Sequence, residues 1–169
     1  NFTFTFPATH KPTTNYIWDF GLSTVQDNAP NTQVYSFPKP LLADTTYIIT
    51  LRADYSCGAV YYKDSVKVKA SPKADFTVQP IGCSPLKPIL YNGSYGNPTS
   101  YFWDFGNGQT TIQANPVAPT YTNNTRRDTV FTIRLKVSNS CGSDSMQKTV
   151  TVKANNVETD IFSGTTRGC

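Results

Sequence analysis

The sequence predicts an all-β chain of two consecutive small domains, and three observations carry that expectation. A six-residue segment occurs twice, as Tyr16-Ile17-Trp18-Asp19-Phe20-Gly21 and as Tyr101-Phe102-Trp103-Asp104-Phe105-Gly106, 85 positions apart, and each copy is followed by Ser-Cys-Gly, at 56–58 and 140–142. Apolar residues alternate with a period of two along many short runs, as in half-buried strands. No stretch of ten or more residues free of Pro and Gly has helical spacing. A repeat this long exceeds the ~20–50 residues of a solenoid turn, so the repeating object is a whole domain.

In chain order, Phe2, Phe4 and Phe6 alternate as a first strand, and Tyr16–Gly21 is a second that sends Trp18 and Phe20 to one face and Asp19 to the other. A turn at Ala29-Pro30-Asn31 precedes Tyr47, Ile49 and Leu51, and Val66 and Val68 close the first domain. These last two strands match Phe131, Ile133 and Leu135, and Val150 and Val152, at an offset of 84. Ala70-Ser71-Pro72-Lys73 is the natural boundary, a short Pro-containing linker expected to be extended and semi-stiff. Beyond it, turns at Asn92-Gly93, Gly96-Asn97-Pro98 and Gly106-Asn107-Gly108 separate the strands, among them Ile133, Leu135 and Val137.

The expected domains are residues 1–70, 74–154 and a C-terminal segment 155–169. Aligning residues 2–6 on 86–90 starts the first copy inside a domain, without its opening strand. Residues 160–163 and 167–169 resemble 74–77 and 81–83, so the last segment reads as the opening strand of a further copy in a longer array.

Composition narrows the function. With 13% aromatic residues, 12 Pro, 10 Gly, one Met and one His in a Ser/Thr-rich background, the chain has the make-up of an extracellular β protein. Four cysteines at repeat-related positions, with no Cys-x-x-Cys pair and a single His, suit disulfides in an oxidising compartment better than metal ligation. The net charge of +4 sits on lysines that alternate with apolar residues, as in Val66-Lys67-Val68-Lys69, which is a solvated strand face rather than a nucleic-acid site. No apolar run reaches the ~20 residues of a membrane-spanning helix, so no membrane insertion is expected. His10 lies in a Pro/Thr-rich turn, Glu158 is the sole Glu, and no Ser or Cys sits in a nucleophile elbow, so no catalytic residues are assigned and the chain is expected not to be an enzyme.

Trp103-Asp104-Phe105-Gly106-Asn107-Gly108 resembles the Trp-Asp-Phe-Gly-Asp-Gly signature of the PKD (polycystic kidney disease) domain. The first copy, Trp18-Asp19-Phe20-Gly21-Leu22-Ser23, departs further from it. The resemblance covers nearly the whole chain and implies two tandem immunoglobulin-like β-sandwiches of about seven strands each. It makes Trp18, Phe20, Trp103 and Phe105 core residues. Asp19 and Asp104 are then loop-fixing acceptors of backbone N–H bonds, or the calcium ligands that some PKD-like modules carry; no other cofactor is implied. In such a sandwich Cys83 and Cys141 fall at the start of an early strand and the end of a late one, which implies an intradomain disulfide. Cys57 and Cys169 are left to pair between units.

Asp followed by Ser or Thr at Thr45, Ser65, Thr129 and Ser145 resembles an O-glycosylation acceptor of Bacteroidetes exported proteins; the alternative reading is that Asp-Thr and Asp-Ser merely open strands there. Asn-x-Ser/Thr occurs at Asn1, Asn92 and Asn123. By resemblance, arrays of this kind build very large secreted surface proteins, including gliding-motility adhesins. The implied function is a non-enzymatic cell-surface stalk, filament or adhesin module whose partners are further PKD copies or identical subunits head to tail, with a surface polysaccharide or protein as ligand. The rival reading is an accessory carbohydrate- or protein-binding module of a secreted hydrolase, with Tyr55, Tyr61, Tyr62, Tyr91, Tyr95 and Tyr121 as a candidate aromatic row.

Overall fold

In the computed structural model of the chain, residues 2–5, 15–22, 25–26, 32–38, 42–154, 158–159 and 166–167 are described. Every regular element among them is a β-strand, and the chain divides into two compact units, residues 1–70 and 71–169. Each unit is immunoglobulin-like.

In the first unit the strands are β1 (Phe2–Thr5), β2 (Asn15–Asp19), β3 (Val25–Gln26), β4 (Thr32–Tyr35), β5 (Thr45–Tyr55) and β6 (Gly58–Val68). One antiparallel sheet has the order β3-β2-β5-β6, and β1 pairs with β4 in the other. Alternation along β5 explains the core: Ile49, Leu51 and Ala53 point inward and meet Trp18 and Phe20, while Tyr35 stacks on Phe20 with ring centroids 4.1 Å apart.

In the second unit the strands are β7 (Phe76–Val78), β8 (Ile81–Cys83), β9 (Leu90–Asn92), β10 (Ser100–Asp104), β11 (Thr110–Thr111), β12 (Thr129–Asn139) and β13 (Gly142–Lys153). The main sheet has the order β11-β10-β12-β13-β8, and β7 pairs with β9 opposite it. The opening segment therefore serves both sheets. It switches across Gln79-Pro80, and β8 then joins β13 in parallel, with Thr151 N–H donating to the Pro80 carbonyl at 2.8 Å. Between the sheets Phe76, Trp103, Tyr121, Ile133, Leu135, Val150 and Val152 are essentially inaccessible to solvent.

The longest elements are two hairpins, β5–β6 and β12–β13, closed by two-residue loops at Ser56-Cys57 and Ser140-Cys141. Gly58 and Gly142 follow those loops with φ of 138° and 141°, a backbone region that side chains rarely adopt. Asn139 Oδ1 accepts the Cys141 N–H at 2.7 Å and fixes the second loop.

Beyond the second sandwich, β14 (Glu158–Thr159) and β15 (Thr166–Arg167) pair with each other antiparallel. The rest of the expected extra opening strand lies outside the described residues.

Trp18 and Trp103 occupy equivalent buried sites, 4% and 0% exposed. Phe102, one residue away and 48% exposed, faces solvent as alternation requires. Replacing Trp103 with Ala is expected to lower the unfolding free energy of the second unit by about 3–5 kcal/mol. Phe102→Ala is expected to cost less than about 1 kcal/mol. Urea denaturation followed by circular dichroism separates the two, and equal losses would remove Trp103 from the core.

Candidate functional site

The repeated aromatic segment is where any special chemistry would sit, and in both units it builds a turn. Asp104 Oδ1 accepts the Gly106 N–H at 2.9 Å, and Asp19 Oδ1 accepts the Gly21 N–H at 2.8 Å. Gly106 has φ 72°, and a Cβ there would lie 2.5 Å from the Thr132 carbonyl oxygen; Gly21 has φ 77° and would meet the Ile48 oxygen at 2.8 Å. Only glycine satisfies both the left-handed backbone and the close approach to the neighbouring strand. The other Asp104 oxygen lies 3.8 Å from Arg134 Nη1, its cross-strand partner. A calcium site needs about six to eight oxygen ligands. Here each carboxylate already holds a backbone N–H, Asp104 has a guanidinium beside it as well, and among the described residues no group of three His, Cys, Asp or Glu side chains could hold a metal.

Other acids do the same work. Asp44 Oδ1 accepts the Ala70 N–H at 3.1 Å, and Asp128 Oδ1 accepts the Ala154 N–H at 3.0 Å, the same bond at the end of each sandwich. Asp144 Oδ2 accepts the Ala74 N–H at 3.0 Å and lies 3.5 Å from Lys73 Nζ. The N–H bond first, and the ammonium after it, hold the Asp144 carboxyl below its ordinary value against the opposing effect of its partial burial. Lys148 Nζ donates to the Phe76 carbonyl and sits 5.4 Å above the Phe76 ring centre. Together these contacts clamp residues 73–76 onto the inner face of β13.

Several residues have roles the sequence did not suggest. Asn123, a glycosylation sequon in the sequence, is 3% exposed. Its amide donates to the Arg127 and Val152 carbonyls at 2.8 and 2.9 Å, and its Oδ1 accepts from Thr125. Asn92 donates to the Ala114 carbonyl at 2.7 Å. Tyr121, considered above as an exposed aromatic, is 1% exposed, and its hydroxyl donates to the Phe105 carbonyl at 2.8 Å. Tyr61 and Tyr62 are neighbours on β6 and so point to opposite faces. The six tyrosines therefore form no common plane. The one clue in the sequence to Asn123 was its position in a Thr/Asn-rich segment between strands, which does not distinguish a glycan acceptor from a loop-fixing amide.

The Cys83–Cys141 disulfide is not formed. Cys141 is a free, exposed thiol, and Cys83 is disulfide-bonded. Cys83 is in register with Lys153, whereas Cys141 sits in the loop before Gly142, at the other end of β13. At ~3.3 Å per residue that separates them by about 40 Å, far beyond the ~7 Å Cα spacing a disulfide can bridge. Cys57 is likewise free and exposed in its hairpin loop, 3.7 Å from Ser56 Oγ; Cys169 lies outside the described residues. A strand added to the first unit as β8 is to the second would bring its cysteine opposite Lys69, not Cys57, so the geometry removes the reason for that pairing.

Of the four Asp-linked hydroxyls, Ser65 and Ser145 are exposed on β6 and β13, while Thr45 and Thr129 open β5 and β12 half-buried. His10 lies outside the described residues.

Burial first, and the Asp104 charge second, push the Tyr121 hydroxyl up to about 12. A folded value above the unfolded ~10 stabilises the fold fully below pH ~10, and that stability is lost as pH rises towards 12. Thermal melts from pH 8 to 12 are expected to show a steep alkaline loss that Tyr121→Phe flattens, at a cost of about 1 kcal/mol at neutral pH for the missing hydroxyl bond. An unchanged alkaline limb in the variant would contradict this assignment.

Residues 69–154 match the family model described as PKD domain. The curated relatives are the Pre-pro-metalloprotease PrtV of two Vibrio cholerae serotype O1 strains, each 36% identical over 87 residues, a match covering 51% of this chain and 9% of the relative. The chain thus spans under a tenth of the length of those relatives. Among solved structures, the crystal structure of the PKD1 domain from the Vibrio cholerae metalloprotease PrtV is 33% identical and covers 50% of this chain and 99% of its own, with a TM-score of 0.38. The amphioxus IgVJ-C2 molecule is 10% identical over 90% of this chain and 96% of its own, at a TM-score of 0.41. The family match takes in β7 to β13 with their buried Trp103 and glycine turn, and through it the chain belongs to the PKD domain family.

Proposed function

We propose that the chain is a non-enzymatic extracellular structural module, a building block of a surface stalk, filament or adhesin whose partners are further copies of the same unit. The observation that carries this reading is the way the second unit is closed. β8 and the end of β13 run parallel, so a pull along the chain loads their hydrogen bonds sideways and together rather than one after another. The use of Asp19, Asp44, Asp104, Asp128 and Asp144 as backbone acceptors supports it too, because it leaves these carboxylates to scaffolding. The first unit, with its equivalent buried Trp18 and glycine turn at Gly21, reads as a second copy of the module.

The relative that is a pre-pro-metalloprotease favours a second reading, an accessory module of a secreted hydrolase. Tyr91 and Tyr95, 68% and 39% exposed, are the side chains such a module would offer to a ligand.

Single-molecule stretching of the chain between its ends tests the first reading. Two unfolding steps are expected, each releasing about 250 Å of chain at the ~3.5 Å per residue of extended backbone. The second unit should yield at the higher force, and Thr151→Pro, which removes the N–H bonded to Pro80, should lower that force. Featureless extension, together with saturable binding of collagen or a polysaccharide, would favour the accessory reading instead.

A further inference from the structure

The sequence has two Asn-Gly steps, Asn92-Gly93 and Asn107-Gly108, and the second unit holds them in opposite ways. In an Asn-Gly step the side-chain amide carbon lies within reach of a backbone nitrogen that glycine leaves unshielded by any side chain. In both steps the Asn Oδ1 accepts the N–H two residues on, from Ser94 at 3.0 Å and from Gln109 at 3.1 Å. That donor sits where negative charge gathers when a nucleophile adds to the amide carbon. The electrophile is therefore prepared alike in the two.

The nucleophile and the leaving group are not. Asn92 ends β9 in register with Phe76, the Gly93 N–H donates to the Asp75 carbonyl at 2.9 Å, and Asn92 Nδ2 donates to the Ala114 carbonyl at 2.7 Å. Attack there requires both bonds to be given up. Asn107 lies in the turn between β10 and β11, and Gly108 is exposed with φ 85°, where a Cβ would meet nothing within 4 Å. Among the described residues no hydrogen bond holds the Gly108 N–H or Asn107 Nδ2.

We propose that Asn107 is a deamidation site built into this turn, and that the fold keeps Asn92 out of the same reaction. The Gly108 nitrogen adds to Asn107 Cγ and its proton passes to water; the Cγ–Nδ2 bond breaks, ammonia leaves, and a cyclic succinimide closes. Water then opens the ring at Cγ, giving aspartate in an unaltered backbone, or at the main-chain carbonyl carbon, giving isoaspartate with an extra methylene in the backbone. The aspartate form keeps the Gln109 N–H on a charged acceptor, and it carries the residue that stands at this place in the signature Trp-Asp-Phe-Gly-Asp-Gly. The isoaspartate form displaces the turn and releases the bond from the Phe105 N–H to the Gln109 carbonyl, 3.0 Å long in the encoded chain. The turn beside Trp103 and Phe105 thus records the age of the module, whether that module serves a stalk or a hydrolase.

The test incubates the whole chain folded in neutral buffer and unfolded in urea, then maps both samples by digestion and mass spectrometry with electron-transfer fragmentation, which separates aspartate from isoaspartate. In the folded chain Asn107 is expected to convert about ten-fold or more faster than Asn92, because attack at Asn92 must first break two bonds that Asn107 does not make. In urea the two rates are expected to converge. Hydrogen exchange is expected to show the Phe105 amide losing protection in the isoaspartate product. Asn92 converting as fast as Asn107 in the folded chain, conversion confined to the unfolded chain, a rate difference that persists in urea, or undiminished Phe105 protection in the isoaspartate product would each overturn the proposal.

Discussion

The structure depends on one short segment in which three side-chain requirements meet within four residues. Alternation along β10 sends Trp103 and Phe105 between the sheets, so the intervening Asp104 must face the other way, and the chain must then turn at Gly106. The turn is close enough to β12 that a methyl group would strike the Thr132 carbonyl. The residue there must therefore be glycine, and the group that holds its N–H is the aspartate two positions back. Further packing builds on this segment. Trp103 Nε1 donates to the Gln113 carbonyl at 3.1 Å, the Phe105 carbonyl takes the Tyr121 hydroxyl, and the Tyr121 backbone in turn pairs with that of Leu86 in the connection between β8 and β9. A large ring buried with its one polar atom satisfied is among the largest single contributions a small domain can contain.

The same economy governs the polar residues. Small sandwiches bury a modest fraction of their surface, so their ends and loops need fastening by groups other than the core. Here the fasteners are short polar side chains that accept or donate to backbone: Asp44 and Asp128 at equivalent exits, Asp144 at the entry of the second unit, Asn123 beneath its final strand. Each bond is worth on the order of 1 kcal/mol, and leaving such a buried donor unpaired would cost more. No buried side-chain nitrogen or oxygen among the described residues lacks a partner. Polar groups arranged this way rigidify a scaffold.

What was legible in the sequence were the features set by local alternation and local turn chemistry. Trp18, Phe20, Trp103 and Phe105 could be placed inside because their strands alternate cleanly, and the hairpin strands around Leu51 and Leu135 could be matched by offset alone. The cysteine geometry was not legible. Ser-Cys-Gly looks like a strand ending, whereas its Ser-Cys is the two-residue loop of a hairpin whose strands run eleven and twelve residues, and nothing in Ser-Cys marks a tight turn as Asn-Gly would. That error of one element moved Cys141 the full length of β13. Tyr121 and Asn123 were misjudged for a different reason: both sit in an irregular stretch without periodicity, where a buried hydrogen-bonded side chain and a solvent-facing one have the same local sequence. The clamp of Asp144 and Lys148 on residues 73–76 joins positions some 70 apart, beyond the reach of any local pattern.

The central claim is that the acids of the repeated aromatic turns are spent on the backbone, each holding the N–H of the glycine two residues on. The most direct measurement is a calcium titration of the whole chain followed at the amides of Gly21 and Gly106, the two donors to Asp19 and Asp104. The account predicts that neither resonance moves saturably at up to about ten times the ~1 mM at which weak extracellular calcium modules fill, and that the melting temperature is unchanged. A saturable shift at both amides, accompanied by a rise in melting temperature, would contradict it.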